Sequence, residues 1–116
     1  MELSLLRALN VVVAPSVSQG SLGVGTIEVD QAVTENLTVT GLGAGFPAPT
    51  GNVTFRVMYD SGSWMNYSVN VSLENGHAMS TWYTPAAAGS YVFEAVYSGD
   101  SNYGNSWAFS YLTVRE

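Results

Sequence analysis

The chain has no cysteine and no lysine among its 116 residues. The first absence excludes disulfide bonds, thiolate catalysis and cysteine-ligated zinc, and it leaves the redox compartment open. The three basic residues are all arginines and are set against nine acidic residues, so the formal net charge is −6. We therefore predict no nucleic-acid partner, because the chain has too few basic side chains to neutralise the phosphates. An anionic membrane surface would likewise not attract the chain.

Long apolar runs are also missing. None approaches the roughly 18 residues that a membrane-spanning helix needs, so we predict no membrane insertion. Charged residues make up only 10% of the chain and apolar residues 47%. A chain of this length and apolar content can bury one hydrophobic core. Its solubility must come from Ser, Thr, Asn and Gly, or from groups attached to them.

The N-terminal segment does not resemble a secretory signal. Arg7 interrupts its apolar stretch, and Glu2 stands where a signal carries positive charge. We expect residues 1–9 to be an extension or linker in a piece cut from a longer chain. Residues 10–116 are predicted to form one domain.

Turn-forming residues recur at intervals of about 8 to 12 positions, which is typical of a β-sandwich or barrel. Between them, apolar and polar residues alternate as in strands with one buried face. Pro15 excludes a central strand, so residues 10–18 are predicted as a broken edge strand. Asn75-Gly76 favours the positive φ values of a two-residue hairpin turn. The sequence thus predicts an all-β fold of about seven strands, over residues 10–18, 33–40, 52–59, 66–73, 77–84, 91–97 and 106–114.

The alternation also divides each strand into core and solvent positions, since successive side chains of a strand point to opposite faces. Val33 and Glu35 share the face of Leu37 and Val39 in the strand over 33–40. In the strand over 66–73, Ser68 is predicted to point outward. The side chains predicted to fill the core are Leu37, Val39, Val53, Phe55, Val57, Tyr67, Val69, Val71 and Leu73.

Three segments resemble a known family. The sequence Gly89-Ser90-Tyr91-Val92-Phe93 resembles the tyrosine corner of immunoglobulin-like sandwiches, with Tyr91 as the corner residue. Residues 95–103, AVYSGDSNY, closely resemble the signature of bacterial and archaeal immunoglobulin-like repeat domains, and residues 49–55, PTGNVTF, are similar to their third strand. The resemblance implies an antiparallel Greek-key β-sandwich without a disulfide. It also implies one of several tandem copies in a secreted or cell-surface protein, serving as stalk, spacer or adhesin module.

Four Asn-x-Ser/Thr sequences carry the acceptor asparagines Asn36, Asn52, Asn66 and Asn70, all at positions predicted to face outward. In an immunoglobulin-like topology the strands over 33–40 and 66–73 would share one sheet. We therefore expect Asn36, Asn66 and Asn70 on one outer face, where glycans would supply the solubility that charge does not. Alternatively, asparagine simply fills polar strand positions.

The second sheet is predicted to contain the strands over 52–59, 91–97 and 106–114. Arg56 and Glu94 would form a cross-strand pair on its outer face. Two registers are open for the last strand. In one, its aromatic residues belong to the core. In the other they point outward and form an apolar patch that marks an interface, made of Val92, Val96, Trp107, Phe109 and Tyr111.

No arrangement of residues points to catalysis, so we predict no enzyme, cofactor or metal. His77 is the only histidine and is expected to be a partly exposed strand residue. Asp100 and Asn102 suit a turn that caps backbone amides, with a calcium site as the alternative.

Two functions follow as hypotheses. The first is a non-catalytic immunoglobulin-like module of a larger extracellular or cell-surface protein, acting as spacer, adhesion or assembly domain beside neighbouring domains or copies. The alternative is a carbohydrate-binding module attached to a secreted hydrolase. Its sugar-stacking surfaces would come from Trp64, Trp82 or Trp107, and Trp64, Tyr67, Trp82 and Tyr83 could form one platform.

Overall fold

The computed structural model describes residues 13–116. These residues form eight β-strands and no helix, which confirms the all-β prediction. The expected extension over residues 1–9 and the start of the segment 10–18 lie outside the described residues, and the domain division stays a prediction. The strands are β1 (Val17–Ser21), β2 (Thr26–Glu28), β3 (Asn36–Thr40), β4 (Asn52–Tyr59), β5 (Trp64–Ser72), β6 (His77–Met79), β7 (Gly89–Tyr97) and β8 (Ser106–Arg115).

The strands form two sheets that pack as a sandwich. One sheet has three strands in the order β1-β3-β6, and the other has five in the order β2-β8-β7-β4-β5. The chain crosses between the sheets after β1, β2, β3, β5 and β6, so strands adjacent in sequence are often in different sheets. Every strand pair is antiparallel except β2 with β8, which is parallel.

Three short elements differ from the prediction. An edge strand was predicted over residues 10–18, whereas β1 begins at Val17, and before Pro15 only Ala14 is paired, through an isolated bridge with Tyr103. The three-residue strand β2 was not predicted, because it is too short to show alternation. Its buried Ile27 pairs with Val114 of β8. The strand predicted over 77–84 is ordered as β6 for only three residues.

The core consists of two clusters, one around Phe55 and the other around Phe93, both fully buried. Tyr67 packs against both clusters and so connects them. The inward positions predicted for β3 and β4 are confirmed, since Leu37 and Val57 are no more than 2% exposed. Burial of each large apolar side chain contributes about 1.5–3 kcal/mol, which is how this sandwich is held together without a disulfide.

The alternation predicted for β5 is wrong at two positions. Val69 is 54% exposed, whereas Ser68 is 5% exposed. The pairing of β4 with β5 is interrupted by two register shifts, between Val53 and Phe55 and again between Phe55 and Arg56. A β-bulge places an extra residue in one strand and reverses the alternation beyond it. Asn70, with a φ of 54°, adopts the left-handed conformation at this irregularity.

The hairpin turn between β5 and β6 is confirmed. Asn75 and Gly76 have φ values of 52° and 80°, as a type I′ turn requires at both central positions. Glu74 and His77 flank the turn and exchange backbone hydrogen bonds of 2.8 and 2.9 Å. The added Cβ of any other residue at Gly76 would lie 2.9 Å from the Val39 carbonyl oxygen.

The described chain enters and leaves at opposite ends of the sandwich. At one end, Ala14 accepts a hydrogen bond of 2.8 Å from the Gly104 N–H, just before β8 begins. At the other end, the carbonyl of Arg115 accepts one of 2.8 Å from the Val29 N–H. The ten residues of β8 lie between these points. With a rise of about 3.3 Å per strand residue, the two points are about 30 Å apart.

A candidate docking face on the five-stranded sheet

The outer surface of β8 is aromatic. Trp107, Phe109 and Tyr111 are 55%, 44% and 68% exposed. The alternate residues Leu112 and Val114 are buried. The structure therefore has the second of the two predicted registers, in which the aromatic residues of the last strand point away from the core.

Strand register extends this surface over the neighbouring strands. Tyr111 lies opposite Val92, which lies opposite Met58. Met58 in turn pairs with Trp64 at the sheet edge. Trp107 lies opposite Val96 on β7. We call this surface the aromatic face, and it consists of Met58, Trp64, Val92, Val96, Trp107, Phe109 and Tyr111.

The predicted ion pair of Arg56 and Glu94 lies at the middle of the aromatic face. Nε and Nη2 of Arg56 each lie 2.7 Å from Oε1 of Glu94. The Trp64 ring covers the guanidinium, with 4.8 Å between Cζ of Arg56 and the ring centre. Phe109 lies opposite Glu94 on β8, and its ring centre is 6.3 Å from that of Trp64. Glu94 is only 8% exposed although it lies on an outer face, whereas the Arg56 side chain is 34% exposed. A cation on an indole face in this position is stabilised electrostatically.

The expected placement of the glycosylation candidates on one sheet is wrong. Asn36 lies on β3 in the three-stranded sheet, whereas Asn66 and Asn70 lie on β5 in the five-stranded sheet. Asn66 pairs with Arg56, so it borders the aromatic face. Asn52 alternates with Thr54 and Arg56 along β4 and also belongs to this outer side. All four asparagines are exposed, but only Asn36 lies on the opposite sheet from the aromatic residues.

A buried polar cluster joins the two sheets and was not predicted as a site. Glu35, just before β3, is fully buried, and its Oε1 accepts a 3.1 Å hydrogen bond from the Tyr67 hydroxyl of β5. The Ser80 hydroxyl accepts one of 2.9 Å from the Glu35 backbone N–H. The other carboxyl oxygen, Oε2, has no hydrogen-bond partner. Burial raises the pKa of Glu35 to about 8, against a lowering contribution from the Tyr67 hydrogen bond. The sequence indicated only that Glu35 shares the face of Leu37.

Asp100 organises the turn between β7 and β8. Its Oδ1 accepts hydrogen bonds of 2.7 Å from the backbone N–H groups of Asn102 and Tyr103. Its Oδ2 accepts from the backbone and hydroxyl of Thr50, at 2.7 and 3.0 Å. Burial alone would raise the pKa of Asp100, but these hydrogen bonds lower it below its usual value. With its oxygens used in this way, Asp100 has the capping role that was predicted for it.

The start of β7 has the geometry of a tyrosine corner. The hydroxyl of Tyr91 donates a 2.7 Å hydrogen bond to the carbonyl of Ala87, four residues upstream. Phe93 follows two residues later and is fully buried. Residues 12–115 match the family model described as bacterial Ig-like domain (group 3). The chain belongs to this family. The predicted resemblance is thereby confirmed.

Two solved structures are similar to this bacterial Ig-like domain. The PKD domain of an M14-like peptidase from a Thermoplasmatales archaeon is 14% identical, with a TM-score of 0.51 over 88% of this chain and 94% of that chain. BslA, a bacterial hydrophobin, is 11% identical, with a TM-score of 0.44 over 90% of this chain and 98% of that chain. No curated protein sequence matches the chain. The likeness to the PKD domain shows the fold and no more.

The expected sugar-stacking platform is not assembled in this bacterial Ig-like domain. The rings of Tyr67 and Tyr83 pack together at 5.2 Å between centres, and each packs edge-on against Phe93. Trp64 lies on the aromatic face. Trp82 is 71% exposed and lines a surface pocket with Ile27 of β2 and with Val33 and Thr34. The four side chains therefore do not share one surface, and only Trp107 and Trp82 offer largely exposed indole rings.

The remaining candidates for chemistry are dispersed. His77 is exposed, and its Nδ1 lies 3.1 Å from the Thr38 hydroxyl. Between Val13 and Glu116, no three His, Cys, Asp or Glu side chains are grouped so that they could hold a metal ion. Over the same residues, no helix has the length and apolar character to cross a membrane. The aromatic face is therefore the candidate binding surface of this Ig-like domain.

Proposed function

We propose that this bacterial Ig-like domain is a non-catalytic spacer and assembly module of a larger extracellular or cell-surface protein. The observation that carries the proposal is the placement of Ala14 and Arg115 at opposite ends of the sandwich, about 30 Å apart along β8. A domain with this geometry adds its own length to the protein that contains it. A domain whose ends lay together would instead project sideways and add none.

Rigidity supports the same role. A spacer has to hold its length, and this sandwich has two packed core clusters connected by Tyr67. The family to which the chain belongs, and the PKD-like fold, also favour a non-catalytic module within a longer protein. The extracellular or cell-surface location is part of the proposal, as is contact with neighbouring domains or copies through the aromatic face.

Glycosylation of Asn36, Asn52, Asn66 and Asn70 is a separate element of the proposal. Each acceptor is exposed, and glycans would supply hydration to a chain with only 10% charged residues. Intact-mass measurement of the domain secreted by its native host tests this, because bare asparagines at all four positions would exclude it.

The spacer role is tested in the parent protein. Removing residues 13–116 should bring labels placed on either side of the domain closer by about 30 Å. Inserting an unrelated rigid domain of the same length should restore the distance. An unchanged distance after removal would contradict the spacer role. The cell-surface location is tested separately, and labelling of the domain on intact host cells by an added reagent would support it.

Carbohydrate binding is the second candidate, since Trp107 and Trp82 present exposed rings and aromatic faces suit the stacking of pyranose rings. Affinity electrophoresis against a set of polysaccharides separates the two functions. Retention on one polysaccharide that is lost in Trp107→Ala or Trp82→Ala would establish the carbohydrate-binding role in place of the assembly role. No retention on any of them would leave the spacer and assembly module.

A further inference from the structure

We propose that the aromatic face binds a second copy of this chain, so that the domain forms a symmetric dimer through its five-stranded sheet. The inference deepens the assembly part of the proposed function and does not depend on the spacer part. It rests on three properties of the face, namely its exposed area, its charge and the state of the Arg56–Glu94 pair.

The exposed area is large enough for an interface. An aromatic side chain offers about 150–250 Å² of surface. The exposed fractions of Trp107, Phe109 and Tyr111 are 55%, 44% and 68%. Together these fractions amount to roughly 250–420 Å² of aromatic surface. A standard interface buries about 800 Å² on each partner. The three residues therefore provide about a third to a half of such an interface, and Val92, Val96, Met58 and Trp64 extend it.

The charge of the face fits a second copy. The chain carries a net charge of −6, so two copies repel each other over most orientations. On the aromatic face the one arginine and the one glutamate neutralise each other. Two acidic copies can therefore meet through this face without bringing unbalanced negative charges together. A strongly basic partner would find no unpaired carboxylate among the residues of the aromatic face.

Half of the central ion pair is already buried in the single chain. Covering a hydrated ion pair at an interface is costly, because both charges lose water. Here Glu94 is only 8% exposed, whereas the side chain of Arg56, beside the Trp64 ring, is 34% exposed. A partner that covers this face therefore removes little further water from Glu94 and some from Arg56. Part of the cost that usually opposes burial of such a pair is thus met when the monomer folds.

A two-fold arrangement suits the surface. In an isologous interface the same patch serves on both partners, so a single face is sufficient. Two sheets packed face to face lie about 10 Å apart with their side chains interleaved. The alternate aromatic residues of β8 provide the projecting side chains, and the shorter Val92 and Val96 leave room between them.

The first experiment measures self-association of the unglycosylated chain by sedimentation velocity over a range of concentrations. We expect a monomer–dimer equilibrium. The double variant Trp107→Ser/Tyr111→Ser should weaken the dimer at least about tenfold, since central aromatic residues dominate interface energies. Trp82→Ser is the matched control, because Trp82 is 71% exposed but lines a surface pocket with Val33 and Thr34 and is not part of the aromatic face. It should leave the dissociation constant unchanged. Thermal unfolding of each variant verifies that it folds.

The second experiment uses the absence of native cysteine. Val96→Cys should be joined into covalent dimers by a short bismaleimide, whereas Thr38→Cys on the three-stranded sheet should not. Both positions are half-buried strand residues on outer faces. A chain that stays monomeric at millimolar concentration would overturn the inference. A dimer weakened equally by the β8 and Trp82 variants would also overturn it, as would retention on a polysaccharide through Trp107. None of these results bears on the label distances that test the spacer role.

Discussion

The Tyr67 hydroxyl of β5 donates a 3.1 Å hydrogen bond to Oε1 of Glu35 and thereby joins the two sheets inside the sandwich. The Glu35 side chain is fully buried, and its other carboxyl oxygen has no partner. A buried carboxylate without a cation is costly, so burial favours the protonated acid. The negative charge of Glu94 adds to this effect, and the pKa of Glu35 is raised to about 8.

This arrangement predicts that the domain loses stability as the solution becomes alkaline. The folded pKa of about 8 lies above the ordinary value of 4.5, so the folded state binds the proton more tightly than the unfolded state. The resulting stabilisation is complete below about pH 4.5 and is lost as pH rises to about 8, by about 2–5 kcal/mol. Denaturant unfolding between pH 5 and pH 9 measures this slope.

Glu35→Gln should remove the slope, because the amide stays neutral over the whole range. Glu74→Gln, which changes an exposed glutamate beside the hairpin turn, should keep the wild-type slope. An unfolding free energy that is equal at pH 5 and pH 9 in the wild type would contradict the prediction.

Arg56 is predicted to stabilise the domain mainly by neutralising Glu94. Arg56→Leu leaves Glu94, only 8% exposed, without its partner. The unfolding free energy should fall by about 2–4 kcal/mol. The double variant Arg56→Leu/Glu94→Leu should recover most of the loss, since no charge is then stranded. Equal stability of the single and double variants, measured by denaturant unfolding, would show that the pair does not act in this way.

Asp100 is predicted to stabilise the turn before β8 through its charge. Asp100→Asn weakens four hydrogen bonds from Thr50, Asn102 and Tyr103, and should cost about 1–3 kcal/mol. Because the folded pKa of Asp100 is lowered, its contribution is present above the unfolded pKa. It is lost as pH falls through the folded pKa. Asp60→Asn, in the exposed turn between β4 and β5, is the control and should change stability little. Thermal unfolding at pH 7 and pH 3 compares the two variants.

Alanine substitutions at two glycines distinguish the cost of a steric contact from the cost of backbone strain. Gly51 and Gly43 both have positive φ, 108° and 97°, so alanine is strained at either position. A Cβ at Gly51 would lie 2.7 Å from the Gly99 carbonyl oxygen, whereas one at Gly43 meets nothing within 4 Å. We expect Gly51→Ala to lower the unfolding free energy by at least about 1 kcal/mol more than Gly43→Ala. Equal losses would show that strain alone accounts for both.

The sequence allowed most strands to be predicted wherever one face of a strand is buried and the alternation is regular. Val53 and Phe55 were placed correctly for this reason, as was the turn at Gly76, whose dipeptide has few other conformations available. The predicted burial of Ser68 and Val69 was reversed, because a bulge depends on pairing with the partner strand and the alternation within one strand does not show it. The three residues of β2 were missed because their order comes from pairing with β8.

The candidate site was predictable in composition but not in arrangement. Alternation alone left the register of Trp107 open, and the side chain proved to point outward. The covering of Arg56 by Trp64 could not be foreseen, because it joins residues on two strands across a bulged pairing. Asn66 and Arg56 lie on the same outer face because β5 belongs to the five-stranded sheet. The sequence resemblance had suggested the other sheet.

The parallel pairing of β2 with β8 determines how the domain would respond to tension. A force applied through Ala14 and Arg115 pulls β8 toward one end of the sandwich, and pulls β1 and β2 toward the other. Two parallel strands pulled in this way slide lengthwise, so their hydrogen bonds bear the load together instead of breaking one after another. The short strand β2 would then act as a mechanical clamp, and its three residue pairs would set the force at which the domain begins to extend.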